Sequence, residues 1–152
     1  MDGIRTQLLF TVTFTVETPL SLGVTPLGDR RNVTVTGGHF EGPKLRGTVV
    51  PGGSDWILLR PDGVLQLDVR ATLRTEDGAL INMTYRGARH GPPDVIARLN
   101  RGDAVDPSEY YFRTAPFFET SAASYAWLNK IVAVATGHRI PAGPIYDVYE
   151  VL

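Results

Sequence analysis

The chain reads as a single all-β domain, an antiparallel up-and-down barrel of about eight to ten short strands with one or two short helices. Three observations predict it. Apolar and polar residues alternate with a period of 2 through most of the 152 residues, the pattern of half-buried strands. Two tight turns, Pro61-Asp62-Gly63 and Glu76-Asp77-Gly78, join three consecutive alternating runs into a meander, which such short connections force to be antiparallel. The length matches one domain of ordinary size (1–152), enough to bury roughly 68–70% of the surface of the unfolded chain.

The strands follow in order. Gln7 to Glu17 sets Phe10, Val12, Phe14 and Val16 on one face against Thr11, Thr13 and Thr15 on the other, and β-branched and aromatic residues suit a pleated surface. Pro19, Gly23, Pro26 and Gly28 mark 18–30 as a long loop. Asn32 to Thr36 resumes the alternation. Gly37-Gly38-His39-Phe40-Glu41-Gly42-Pro43 lacks the Lys-Ser/Thr end of a phosphate loop and reads as a bend at a barrel corner. Leu45 to Val50 is a short strand, Pro51-Gly52-Gly53 turns the chain, and Trp56 to Arg60 is the next. Val64 to Thr75 and Ala79 to Arg86 complete the meander, the latter with Ile81, Met83 and Tyr85 on one face. Pro92-Pro93-Asp94 ahead of Val95, Ile96 and Leu99 predicts one short helix with an acidic first turn. Tyr110 to Thr114, Lys130 to Thr136 and Tyr146 to Val151 are the remaining strands, and Ala122 to Leu128 fits a helical turn or a strand. A barrel is preferred to a sandwich because consecutive hairpins need no Greek-key crossovers.

Composition excludes several functions. The chain is 43% hydrophobic and 20% charged, with 15 Lys and Arg against 16 Asp and Glu. The basic residues are scattered, so no footprint for nucleic acid exists. No cysteine is present, which removes disulfides, thiolate metal sites and cysteine nucleophiles. His39, His90 and His138 stand too far apart in sequence to suggest a metal site, and no Gly-x-Ser-x-Gly elbow marks a serine nucleophile. No metal or cofactor is expected. Met1-Asp2-Gly3-Ile4-Arg5 lacks the basic start and apolar core of a signal peptide, no run approaches the ~20 apolar residues of a membrane span, and the expected location is cytoplasmic. Two sequons, at Asn32 and Asn82, fall inside expected strands and read as chance matches.

The polar, strand-borne residues are the candidate site. Asp55, Asp68, Arg70, Tyr85, Arg113 and Glu119 are candidate catalytic groups, and Trp56, Tyr125, Trp127 and Asn129 candidate ligand contacts. An acid facing an Arg and a Tyr in a dry pocket forms a proton-transfer set with tunable pKa. If the apolar face of 64–75 packs inward, however, Asp68 and Arg70 point to water, the commoner arrangement for charged groups.

These residues carry a family resemblance. Gly37-Gly38-x-Phe40-x-Gly42-Pro43, Pro51-Gly52-Gly53-x-Asp55-Trp56, Tyr111-Phe112-Arg113-Thr114-x-Pro116, Phe118-Glu119-Thr120 and Tyr125-x-Trp127-Leu128-Asn129 resemble the signature of a bacterial and fungal family known as a domain of unknown function. That resemblance implies a calycin-like β-barrel and no general catalytic role. Residues 87–108 fit it least well.

The expected function is therefore a barrel that binds a small hydrophobic, aromatic or polyketide-like molecule. It leans to a cofactor-independent acid–base enzyme: an isomerase, cyclase or hydratase. Asp55, Asp68 or Glu119 would be the base, Tyr85 a proton donor, and Arg70 or Arg113 a clamp. A lipocalin-like carrier and a packed barrel acting as an interaction protein are the rivals, told apart by the presence and polarity of a cavity. A homodimer is compatible with all three.

Overall fold

The inward–outward alternation runs through nine strands in a computed structural model that describes residues 3–152. Met1 and Asp2, which begin the segment read for a signal peptide, lie outside the described residues. The strands are β1 (Thr6–Val16), β2 (Leu20–Thr25), β3 (Gly28–Glu41), β4 (Arg46–Leu59), β5 (Leu65–Thr75), β6 (Leu80–His90), β7 (Tyr111–Glu119), β8 (Ala133–Ile140) and β9 (Gly143–Val151). Helix α1 (Pro93–Asn100) and a short 3-10 helix (Pro107–Glu109) connect β6 to β7, and a second 3-10 helix (Ala123–Lys130) connects β7 to β8.

The sheet order is β1-β9-β8-β7-β6-β5-β4-β3-β2, and an additional β1–β3 pairing closes it. Eight strands form the antiparallel barrel, and β2 is the extra one. The second half of β3 pairs with β1 and its first half with β2, so β2 continues the line of β1 along the same neighbour after the break at Pro19. The expected loop over 18–30 is thus a strand and a turn. Its glycines and prolines interrupt the ribbon without ending it, because the free edge of β3 supplies backbone partners.

Two further boundaries differ from the sequence reading. Residues 45–50 and 56–60 belong to one long strand, β4, and Gly52-Gly53 is a bulge where its register against β5 shifts between Val50 and Ser54. Ala123–Lys130 takes the helical of the two forms expected around 122–128, with Leu128 1% exposed, and the next strand therefore starts at Ala133 rather than Lys130. The glycine-rich bend does turn a corner: Gly37 and Gly38 have φ of 155° and 138°. The β1–β3 and β3–β4 registers both shift by one residue around them. That shift moves the inward set of β3 from Val33 and Val35 to Phe40. A Cβ on Gly38 would lie 2.0 Å from the Thr13 carbonyl oxygen, so only glycine permits this approach.

The barrel interior divides into two. At one end Phe10 packs between Phe40 and Phe118 at ring separations of 5.4 and 5.8 Å, and Leu9, Leu45, Leu73 and Leu128 complete a solid core. The other end, covered by α1 through Val95 and Leu99, holds an open cavity.

Candidate functional site

Strand parity decides what that cavity contains. On β5 the odd positions Leu65, Leu67 and Val69 point in, so Asp68 and Arg70 point out. On β6 the inward series Ile81, Met83, Tyr85 continues through Gly87 to Arg89. On β8 it runs Ala133, Ala135, Gly137, Arg139. On β4, Asp55 and Ile57 point in while Trp56 points out. The result is a cavity of about 250 Å³ in which apolar side chains, among them Phe14, Val33, Val69 and Phe112, share the wall about equally with polar groups. Into it project Asp55, Tyr85, Arg89 and Arg139.

Asp55 and Tyr85 sit in one cross-strand row, since Asp55 pairs with Val69 and Val69 with Tyr85. Side chains in such a row share one face and lie within reach of their neighbours. The Asp55 carboxyl accepts the Asp68 backbone N–H at 3.2 Å. It has no ion-pair partner among the described residues. Burial pushes its pKa up to about 7; the Asp68 N–H and the charges of Arg139 and Arg89 oppose that rise, and the Asp68 carboxylate adds to it. Burial dominates because the apolar side chains of the wall withdraw the water that would solvate a carboxylate.

Burial also holds the phenols of Tyr85 and Tyr146 protonated, well above their ordinary value. Tyr146, on β9, meets Tyr85 at a ring separation of 5.1 Å, and its buried hydroxyl makes no hydrogen bond of good geometry, only a weak approach to the Tyr85 phenol. Burial lowers the pKa of both Arg89 and Arg139, and the Arg139 charge lowers Arg89 further. The Arg89 Nε is buried without an acceptor. Its guanidinium stands 6.0 Å from the Phe112 ring centre, and the far side of that ring is fitted against Gly137, where a Cβ would come within 2.6 Å of it.

The other sequence-predicted residues lie elsewhere. Asp68 forms a long, exposed contact of 3.9 Å with Arg86. Arg70 and Glu119 are on the outer wall, Glu119 accepting from the Asn82 amide at 3.3 Å. Arg113 is outside on β7, its guanidinium 5.3 Å from the Tyr111 ring. Trp56 is 55% exposed. Tyr125, Trp127 and Asn129 gather at the packed end. Tyr125 donates to Asp77 at 3.0 Å, Trp127 lies under the Lys44 ammonium at 5.0 Å, and Asn129 brackets the Thr120 backbone at 2.8 and 2.9 Å. Of the ten residues singled out, the cavity brings together Asp55 and Tyr85.

Arg89, Arg139 and Phe112 were not singled out as site residues. The signal for the two arginines was present: extending the alternation of their strands to the true ends puts both on the inward face. No group of three His, Asp or Glu among the described residues is placed to hold a metal ion, and no helix there is long and apolar enough to cross a membrane.

The comparisons with known proteins concern the whole of this architecture. A UPF0311 protein of Rhodopseudomonas palustris is 34% identical over 149 residues, covering 98% of this chain and 97% of that protein. The crystal structure of a conserved protein of unknown function from Rhodopseudomonas palustris superposes with a TM-score of 0.96 at 34% identity, over 100% of both chains. The hydroalkoxylation enzyme phnH of Penicillium herquei is 32% identical over 103 residues, covering 68% of this chain and 54% of that enzyme. The model of the family described as protein of unknown function (DUF3237) matches residues 4–151, and the chain belongs to that family.

Proposed function

We propose that the barrel is a cofactor-independent acid–base enzyme in which Asp55 delivers a proton to, and recovers one from, a small unsaturated molecule enclosed in the cavity. The observation that carries this reading is the Asp55 carboxyl facing Tyr85, Arg89 and Arg139 inside one cavity, where burial raises its pKa to about 7. An acid poised at the working pH combines availability of its proton with a strong tendency to give it up. The charges of Arg89 and Arg139 reach Asp55 across the cavity without pairing with it, and fixed cations in a dry site stabilise charge as it develops. Tyr85, its phenol kept protonated, can donate a hydrogen bond to a substrate oxygen.

The reaction class follows from what such a set can do. Proton transfer from Asp55 to one carbon of a double bond leaves the other electron-poor. A hydroxyl oxygen, from water or from the substrate itself, bonds there and returns its proton to Asp55. Atoms and charge balance with no redox partner, and hydration, cyclisation and double-bond isomerisation all share the first step. A relative named as a hydroalkoxylation enzyme supports this class, since hydroalkoxylation adds an O–H across a carbon–carbon multiple bond.

Carriage without chemistry is the second reading, favoured by the apolar side chains that line much of the cavity and by the outward placement of Asp68 and Arg70. One experiment separates them. The protein is incubated in D2O with a panel of small hydroxyaryl alkenes and enones, and deuterium incorporation and new products are followed by NMR. Wild type should exchange or convert at least one member, with a rate that falls as pH rises through about 7. Asp55→Asn should lose about 10²- to 10⁴-fold, the usual contribution of a positioned acid or base. Binding without exchange would make the barrel a carrier, and an undiminished rate in Asp55→Asn would remove Asp55 from the role.

A further inference from the structure

We infer that the ligand of this cavity is a small aryl carboxylate, its anionic end held between Arg89 and Arg139 and its ring against Phe112. The inference rests on the cavity being the working site, as proposed above, and adds the charge and size of what it takes.

The first argument is an imbalance of fixed charge. Three guanidiniums border the cavity, those of Arg31, Arg89 and Arg139, against the single carboxyl of Asp55. Arg31 is already paired with Asp29 at 3.1 Å. Arg89 and Arg139 have no carboxylate partner among the described residues, and the Arg89 Nε is buried with no acceptor at all. Buried guanidinium N–H groups normally find acceptors, and an unmet one is a standing cost that a bound anion removes. The two cations also repel one another across the cavity, each depressed by burial, and Asp55, half-neutral at pH 7, does little to offset them. One added negative charge satisfies both.

The second argument is shape. Arg89 pairs in register with Phe112 on β7, and β8 carries Arg139 on the far side of Phe112. The ring of Phe112 therefore lies between the strands that carry the two cations, an apolar platform beside a split anion clamp. A flat ring bearing a carboxylate presents the complementary surfaces, and guanidinium groups bind carboxylates through paired N–H donors. The volume of about 250 Å³ falls just below the roughly 300–1,000 Å³ of sites for drug-sized ligands, which limits the ligand to one or two rings.

The third argument is access. Arg139, Leu99 and Asn100 border both the cavity and an outer depression lined by Arg101, Gly102 and Asp103. Arg139 thus stands between the depression at the end of α1 and the cavity, where an anion approaching from that side meets its counter-charge.

The test measures binding alone, by calorimetry at pH 7 with benzoate and 4-hydroxycinnamate and with the two corresponding amides. The carboxylates should bind at least tenfold more tightly than their amides. Arg89→Met and Arg139→Met, measured separately, should each weaken the carboxylates by tenfold or more and leave the amides within twofold, which also reports that the variant is folded. Arg139→Lys should retain part of the preference. Amide binding equal to carboxylate binding, carboxylate affinity unchanged in both Met variants, or no measurable binding of any of the four would overturn the inference. Asp55→Asn should keep the carboxylate preference, so a failure of the acid–base reading and a failure of this one give different results.

Discussion

Asp55 and Arg89 open into the same small cavity and do not form an ion pair. Opposite charges sharing a low-dielectric space usually collapse onto one another, because pairing offsets the cost of burying each. Here the strands hold them apart. Asp55 is fixed on β4 by the Asp68 N–H, and Arg89 is drawn over Phe112 on the β6–β7 side. The consequence is a carboxyl that keeps its proton to about pH 7 and a guanidinium with an unused donor.

Asp55→Asn should stabilise the protein in alkaline solution. A folded-state pKa of about 7 against an ordinary value near 4 means that the folded protein binds the proton more tightly than the unfolded chain. The associated stability is fully present below about pH 4 and is lost as pH rises through 7, on the order of 4 kcal/mol in all. Asn carries no charge and can still accept the Asp68 N–H. Thermal melts should therefore show a clear gain at pH 8 and a much smaller one at pH 4.5. Equal shifts at both values would mean that Asp55 is not titrating late.

Removing the neighbouring cations should move the Asp55 titration upward. The charges of Arg139 and Arg89 both hold it down, Arg139 more. Carboxyl-carbon NMR should find an apparent pKa near 7 in wild type, a higher one in Arg89→Met and a higher one again in Arg139→Met. Asp68→Asn should act in the opposite direction, since the Asp68 charge raises it. A fall in either Met variant would contradict this arrangement.

Gly137→Ala should disturb the Phe112 platform. The added Cβ would lie 2.6 to 2.7 Å from three ring atoms, and overpacking of this kind costs about 1–3 kcal/mol. At 2–4 °C per kcal/mol for a chain of this size, the melting temperature should fall by several degrees. Trimming Phe112 to Leu in the same chain should recover part of the loss. If Gly137→Ala melts like wild type, the ring does not occupy that position.

Tyr146→Phe should raise stability. Its hydroxyl is buried without a hydrogen bond of good geometry, its approach to the Tyr85 phenol being a weak one, and a poorly satisfied buried polar group costs up to about 1–3 kcal/mol. A gain in the urea midpoint with an unchanged slope would be the expected signature. A loss would show that the hydroxyl is satisfied in solution.

How far the site was legible depended on where each strand was thought to end. The alternation Leu65, Leu67, Val69 against Asp68 and Arg70 was plain in the sequence, and it already implied that the two charged residues face water once the apolar side packs inward. Ile81, Met83 and Tyr85 were likewise readable as one face. Arg89 and Arg139 lie on the same inward faces as Tyr85 and Ala135, but beyond Arg86 and Thr136, where the apolar alternation breaks off. A charged residue on an apolar face looks like a strand terminus, because burial of a lone charge is ordinarily too costly to expect.

The local sequence was sufficient to determine the class of the fold, the two Asp-Gly hairpins, the short helix at 93–100 and the corner at Gly37-Gly38. Each follows from period-2 patterning or from turn chemistry within a few residues. Only the tertiary structure decided that β2 continues β1 along β3, that Gly52-Gly53 bulges within a strand, and that the barrel is solid at one end and hollow at the other. Those outcomes depend on closure between β1 and β3 and on which side chains meet across the interior. Residues far apart in sequence, Asp55, Arg89 and Arg139, acquire their chemistry only when eight strands close around the same water-poor space.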